Sequence, residues 1–323
     1  MSYNHYVPAW LLRNFVAGDG KISRLDLRSK TISRDPVGQV GGDHEVYEFV
    51  VSQTQPKTVE SYLQVIESDA ARPIKKLLKT GKTNYLSDID RQKIAKFISV
   101  QSFRTKAFFI GLADQTLNRE ALFNELLRSS KLAEQEILCR HWYLLEIEVD
   151  DEFYIGDHPV ALQHAEVQGY QGQLGWDLPW TDAYLPLDPK RSLWIPPANV
   201  TSEIVSGFRK AQKLLAEVRL AAVQSVYHPF ASPWHIELLQ RIDRDSSPIN
   251  KAFETGCPLP ANHENIINAN SLQILFSESQ VFSRASDFEF ATLVLSNTPE
   301  YGGITRTSIE FVWPDEIGGN LND

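Results

Sequence analysis

Trp142-Tyr143-Leu144-Leu145-Glu146-Ile147-Glu148-Val149 is followed, after Asp150-Asp151-Glu152, by Phe153-Tyr154-Ile155-Gly156. Both runs are rich in aromatic and branched side chains and read as strands, with the acidic triplet as the turn between them. So short a link cannot hold a crossover helix, so strands joined this way pair antiparallel. Residues 183–187 and 193–195 read as further short strands bounded by prolines. Upstream, residues 21–34 place Ile22, Leu25, Leu27 and Ile32 around the turn Asp26-Leu27-Arg28-Ser29-Lys30, which predicts a β-hairpin. Residues 38–43 are glycine-rich and read as a loop, and residues 45–51 as a short strand.

The texture before Trp142 is helical. Thr58 can cap a helix running toward Lys79, with Val59, Tyr62, Leu63, Ile66, Ala70, Ile74 and Leu77 on one face. Pro73 should kink or split it. Ser87-Asp88-Ile89-Asp90 is a capping-box variant that opens a second helix, expected to reach about residue 110. Gly111 then allows a bend into a third helix over about 115–138. After the strands, residues 165–180 read as a Gly- and Gln-rich loop. A further helix is expected over about 201–227, with Phe208, Ala211, Leu215, Val218, Ala222 and Val226 on one side. Residues 245–262 read as an irregular, proline-containing connection, residues 265–279 as helical, and residues 288–295 and 307–312 as closing strands. The expected fold class is α+β: a helical block over about 57–138 packed with a mainly antiparallel sheet. Residues 1–240 are expected to form the main domain, and residues 241–323 a C-terminal extension packed on it.

Composition limits the function classes. The 323 residues are 42% hydrophobic and 11% aromatic, enough for a sizeable core. No run approaches the roughly eighteen apolar residues of a membrane span, and no basic segment followed by an apolar run marks a secretory signal. Cys139 and Cys257 lie in unrelated contexts and form neither a disulfide framework nor a zinc motif, which fits a reducing cytoplasm. A net charge of −9 argues against a long basic groove for nucleic acid. The local run Arg72, Lys75, Lys76, Lys79 and Lys82 reads as a solvated helix face. The chain has no P-loop, no G-x-G-x-x-G and no G-x-S-x-G.

Polar residues in apolar surroundings supply the candidates. Gln101 falls at the centre of an arc defined by Ile94, Phe97, Ile98, Thr105 and Phe108, and Arg104 falls at its edge. A buried Gln needs partners at both ends of its amide, and an Arg at the edge can aim its guanidinium at a cleft. They can belong to a structural network or to a ligand site. Glu67, with Glu60 a heptad earlier, sits at the margin of its helix's apolar face, and Arg104 is the obvious partner. Asp157, in Gly156-Asp157-His158-Pro159, ends a strand, where it can serve a site or simply cap a turn. The N-terminal stretch Asn4-His5-Tyr6-Val7-Pro8-Ala9-Trp10-Leu11-Leu12-Arg13-Asn14-Phe15 enters a short helix that buries Leu11, Leu12 and Phe15. Pro8 suits its first position, and His5 stands just ahead.

Several of these segments resemble a family. Asn4-His5-Tyr6-Val7-Pro8 with Leu12-Arg13-Asn14-Phe15 is similar to the opening of domain-of-unknown-function family 4238. Residues 94–101 with Arg104-Thr105 resemble its middle helix. Tyr154-Ile155-Gly156-Asp157-His158-Pro159-Val160 resembles its Ser-Asp-Asn-Pro segment, with Gly156 and His158 in place of Ser and Asn. Leu185-Pro186-Leu187-Asp188-Pro189 resembles the segment after it. The resemblance spans residues 4 to about 190, carries no established reaction, implies a bacterial-type soluble protein, and groups His5, Gln101, Arg104 and Asp157. His5-Tyr6-Val7-Pro8 also resembles the His-x-x-Pro stretch of His-Asn-His nucleases, where the histidine activates water beside a divalent metal. Here the next histidine, His44, follows a glycine-rich loop.

Two readings follow. In the first the chain is a hydrolase of a phosphodiester or nucleotide. His5, Gln101, Arg104 and Asp157 form its catalytic pocket, Glu67 and Arg13 contact the ligand, and Glu67 and Asp157 can hold Mg²⁺ or Mn²⁺. In the second the same pocket binds a small anionic or nucleotide-like ligand without chemistry, or the chain serves a protein partner.

Overall fold

A computed structural model describes residues 3–44, 59–104, 119–148, 150–164, 175, 176, 178 and 180–298. The expected strands at 45–51 and 307–312, the cap at Thr58, the helix beyond Arg104 and the bend at Gly111 lie outside those residues.

The described helices are α1 (Ala9–Leu12), α2 (Val59–Thr80), α3 (Asp88–Phe103), α4 (Arg119–Cys139), α5 (Ala198–Val223), α6 (Pro233–Thr255), α7 (His263–Phe276) and α8 (Glu289–Asn297). Helix α2 buries Leu63, Ile66, Ala70, Ile74 and Leu77, and runs on through Pro73 without a break. Helix α3 opens on the expected capping box. Ser87 Oγ accepts from Asp90 N–H, and the Asp90 carboxylate accepts from Ser87 N–H.

The sheets are mainly antiparallel, and the fold class is α+β. Strands β2 (Ile22–Asp26) and β3 (Ile32–Asp35) form the expected hairpin, with Leu25 opposite Ile32. Strand β11 (Gln280–Ser283) flanks β2 on its other side and pairs on with β6 (Ile155–Gly156), completing a four-stranded sheet. A five-stranded sheet takes the order β10 (Leu259–Pro260), β5 (Tyr143–Glu146), β9 (Arg191–Ile195), β8 (Thr181–Asp188), β7 (Ala161–His164). Only β10 runs parallel to its neighbour there. Strand β1 (Tyr3–His5) pairs with β4 (Gly42–His44). The contact is so close that a Cβ on Gly42 would lie 2.2 Å from Asn4 O, so only glycine fits.

Three sequence expectations change. The runs on either side of Asp150-Asp151-Glu152 do not pair with each other, because β5 and β6 lie in different sheets. The connection between them is held by the β8–β9 turn: Ile147 N–H donates to Lys190 O, Phe153 N–H to Pro189 O, and Lys190 Nζ to Asp151 O. Residues 288–295 form helix α8 instead of a strand, because Phe288, Ala291 and Leu295 fall on one helical face and are all buried. Residues 245–255 continue α6. Pro248 sits at an exposed position, where water can satisfy the carbonyl left without its helical donor. Gly256, at φ +68°, ends the helix in the left-handed conformation.

The principal core gathers Leu11, Leu12, Phe15, Phe97, Trp142 and Phe153 with residues of both sheets, and Ile266, Ala269 and Phe282 from the C-terminal part join it. The boundary expected after residue 240 falls inside α6, and β10 and β11 complete the two larger sheets from the C-terminal side. Among the described residues, no helix is long and apolar enough to cross a membrane.

Candidate functional site

Helix α3 delivers the flagged polar side chains to the N-terminal strand. Gln101 Nε2 donates to Tyr6 O at 2.8 Å, and Arg104 Nη2 to His5 O at 2.5 Å. Arg104 Nη1 is paired with the Glu67 carboxylate of α2. Gln101 and Arg104 are both buried. His5 Nε2 lies 3.2 Å from Val37 O. A carbonyl only accepts, so Nε2 carries the hydrogen. Burial lowers the His5 pKa from its ordinary value. The Arg104 charge adds to that, while the Val37 carbonyl and the Glu67 and Glu60 carboxylates act against it. Glu60 Oε1 accepts from Gln64 on its own helix.

Asp157 caps a different segment. Its carboxylate accepts from the backbone N–H groups of Glu278, Ser279 and Gln280 at 2.8, 2.8 and 3.0 Å, and from Ser279 Oγ at 2.6 Å. Burial pushes the Asp157 carboxyl above its ordinary range, and these four donors pull against it. The neighbouring Gly156 is tied in as well: its N–H donates to Gln273 Oε1, and a Cβ there would lie 2.0 Å from Ser277 Oγ. That contact accounts for glycine where serine was expected.

A short relay joins the two centres. Gln280 Oε1 accepts from Gly41 N–H at 3.2 Å, and Gly41 O accepts from Tyr6 N–H and Val7 N–H. His5, Glu67, Gln101, Arg104 and Asp157 therefore belong to one connected network, and in each of these contacts the flagged group meets another part of the chain. Asp157 lines a cavity of about 320 Å³ with Tyr3, Tyr6, Gly41, Ser279 and Gln280, and the other four are absent from its lining. Arg13, expected beside a ligand, is exposed in the turn Arg13–Phe15. Glu67 and Asp157 were the expected metal ligands. One faces a guanidinium and the other four N–H and O–H donors, neither of which is a cation-binding arrangement. Among the described residues, no group of three or more His, Cys, Asp or Glu is placed to hold a metal.

A second region, which the sequence reading did not single out, has the form of a binding site. The end of α4 and the first four turns of α5 border an open cleft of about 690 Å³, closed on one side by Phe253 of α6. Arg140 forms its buried wall, donating to Thr181 O and Trp176 O at 2.5 and 2.6 Å. The His141 ring lies between Tyr143 and Phe253, with centroids at 4.6 and 4.7 Å, and its buried Nε2 has no hydrogen-bond partner among the described residues. Burial, followed by the Arg91 charge, lowers the His141 pKa to about 4, so its ring is neutral at physiological pH. Arg209, Lys210 and Lys213 overlook this wall from α5. Arg209 is 3.6 Å from Glu254, and Lys213 is 3.9 Å from Glu217. All four of these side chains are exposed, so such pairs hold the cations weakly. The available sequence signal was three cations at i, i+1 and i+4, opposite the apolar face carrying Phe208, Ala211 and Leu215.

No curated protein and no solved structure matches the chain. The family described as "Protein of unknown function (DUF4238)" matches residues 3–287. That span takes in the N-terminal strand, Glu67, Gln101, Arg104, Asp157, the β8–β9 turn and strand β11, the parts that hydrogen-bond to one another above. The chain belongs to that family.

Proposed function

We propose that the chain is a binding module for a small ligand combining an anionic group with a flat apolar part, as a nucleotide does, and that the site is the cleft beside His141. One observation carries the reading. Three exposed cations stand over a wall of His141 and Phe253 rings in a chain of net charge −9. Phe253, backed by His141, offers an apolar surface, and the cations offer charge to a phosphate or carboxylate. The hydrolase reading draws no comparable support, because the groups assigned to its chemistry are engaged in holding backbone segments.

The test is calorimetric titration with nucleoside monophosphates and with benzoate, in low and in high salt. Binding that weakens with salt is expected. Arg209→Glu combined with Lys210→Glu should reduce affinity by at least about tenfold, because two attractive charges become repulsive. Both positions are exposed, so stability should change by no more than about 0.5 kcal/mol. Absence of binding by the unaltered protein, or equal binding by the double variant, overturns the proposal.

A further inference from the structure

Helices α5 and α6 form an antiparallel hairpin with a small core of its own, built from Ala211, Leu215 and Leu239. Its far end has an unusual composition. Residues 220–236 contain no Asp, Glu, Lys or Arg, in a chain that is 23% charged. The apolar side chains there are not buried: Val223 is 83% exposed, Tyr227 87% and Trp234 65%, and Leu220, Val226 and Phe230 are exposed as well. Large apolar groups left in water at one place mark a surface that another phase or partner covers.

The tip is also built. Ser232 caps α6, accepting from His235 N–H, and its Oγ lies 2.7 Å from His235 Nδ1. Phe230 and Trp234 both meet the His235 ring edge to face, at 5.2 and 4.9 Å. Phe230 N–H donates to His228 Nδ1 at 3.2 Å. The aromatic groups are thus held in place before any partner arrives.

We infer that this tip inserts into the interfacial layer of a lipid bilayer. Three features favour that occupant. Tyr and Trp, with an apolar body and a polar edge, suit the boundary between headgroups and acyl chains. The charge-free segment is flanked by Arg219, roughly 6 Å behind the end of α5, and by Glu237, with Arg241 roughly 12 Å behind the start of α6 at about 1.5 Å per residue. The two arginines stand near the depth where phosphate groups lie when a tip is buried to about 5–10 Å. Residues 209–245 hold six Lys and Arg against four Asp and Glu, whereas the whole chain is at −9. An anionic surface would therefore attract the arm and repel the body, presenting the tip. Interfacial insertion of this kind requires no membrane-spanning helix.

Co-sedimentation of the full chain with vesicles tests this, using phosphatidylcholine alone and an equal mixture with phosphatidylglycerol. Pelleting with both is expected, stronger with the mixture. Tyr227→Ser combined with Trp234→Ser should lower the partition coefficient by at least about tenfold while the melting curve stays unchanged, since both side chains are exposed. Protein that stays in the supernatant with both vesicles overturns the inference, as does a double variant that pellets equally well. Sedimentation velocity covers the other occupant: a concentration-dependent dimer abolished by the double variant, without vesicle binding, assigns the tip to a second copy of the chain. Tyr227 and Trp234 lie outside the lining of the His141 cleft, so the double variant leaves that cleft unaltered.

Discussion

The N-terminal network and the His141 cleft use the same residue types and differ in what those residues are left to do. In the network Arg104 is 2% exposed, and its guanidinium meets a carboxylate and a backbone carbonyl. In the cleft Arg140 has the same role, but Arg209, Lys210 and Lys213 face outward over aromatic rings. Burying polar groups is costly unless they satisfy one another. Their concentration at one place therefore shows only that a network exists. A binding site needs charge or hydrogen-bonding capacity that the chain itself has not taken up.

That contrast can be broken by substitution. The largest effect is expected from Arg104→Ala, which leaves Glu67 and His5 O without their partner in a buried setting. Loss of about 3–5 kcal/mol is expected by urea denaturation, because one half of a buried pair remains. If Arg104 instead served a ligand, the variant would fold with nearly full stability. Asp157→Asn should follow at roughly 2–4 kcal/mol, since an amide group would point N–H donors at backbone N–H donors that need an acceptor. A melting temperature within a degree or two of the parent would show that the three amides of residues 278–280 have other partners.

The smallest effect sharpens the description of the cleft. The His141 pKa is depressed in the fold, to about 4. The unfolded chain therefore takes up a proton near pH 6.5 that the folded chain refuses until about pH 4, and stability falls as pH drops through that window. His141→Phe removes this contribution. Its stability should decline less steeply than the parent's over that window, by on the order of 1 kcal/mol once screening of the partly open ring is allowed for. Parallel pH profiles for the two proteins would place the His141 ring in water.

Much of the local structure was legible because it rests on short-range physics. The apolar face of α2, the Ser87–Asp90 box and the alternation in residues 22–35 each follow from neighbours within a few positions. The burial of Gln101 and Arg104 also followed, from their angle on α3. What escaped depends on distant partners. Nothing near Asp150 shows that β5 will meet β9 while β6 meets β11, since the deciding contacts come from Pro189 and Lys190. The run Phe288-Glu289-Phe290-Ala291-Thr292-Leu293-Val294-Leu295 suits a strand by composition and a helix by spacing, and only the surface around Leu25 and Val281 selects the helix. Of the candidate site, the residues were legible but their partners were not. Three of the four donors to Asp157 are backbone N–H groups of residues 278–280, which carry no side-chain signal; the fourth is the Ser279 hydroxyl. The cleft cations of α5 lie about seventy residues from Cys139, Arg140 and His141 and about forty from Phe253, which complete the cleft.

Strand β11 has a consequence for biosynthesis. It lies between β2 and β6, with Asp26 opposite Gln280, so a strand made early waits for one made late. Until residues 278–283 leave the ribosome, β2 has an open edge, Asp157 has no donors and Gly41 lacks its Gln280 acceptor. Closing so long a loop is slow, and an open strand edge is what chaperones and proteases encounter in an unfinished chain. A product terminated before β11 carries the whole N-terminal half and still cannot close the four-stranded sheet. Closure of the four-stranded sheet therefore depends on a strand made more than 250 residues after β2, and among the described residues β11 is the strand that completes it.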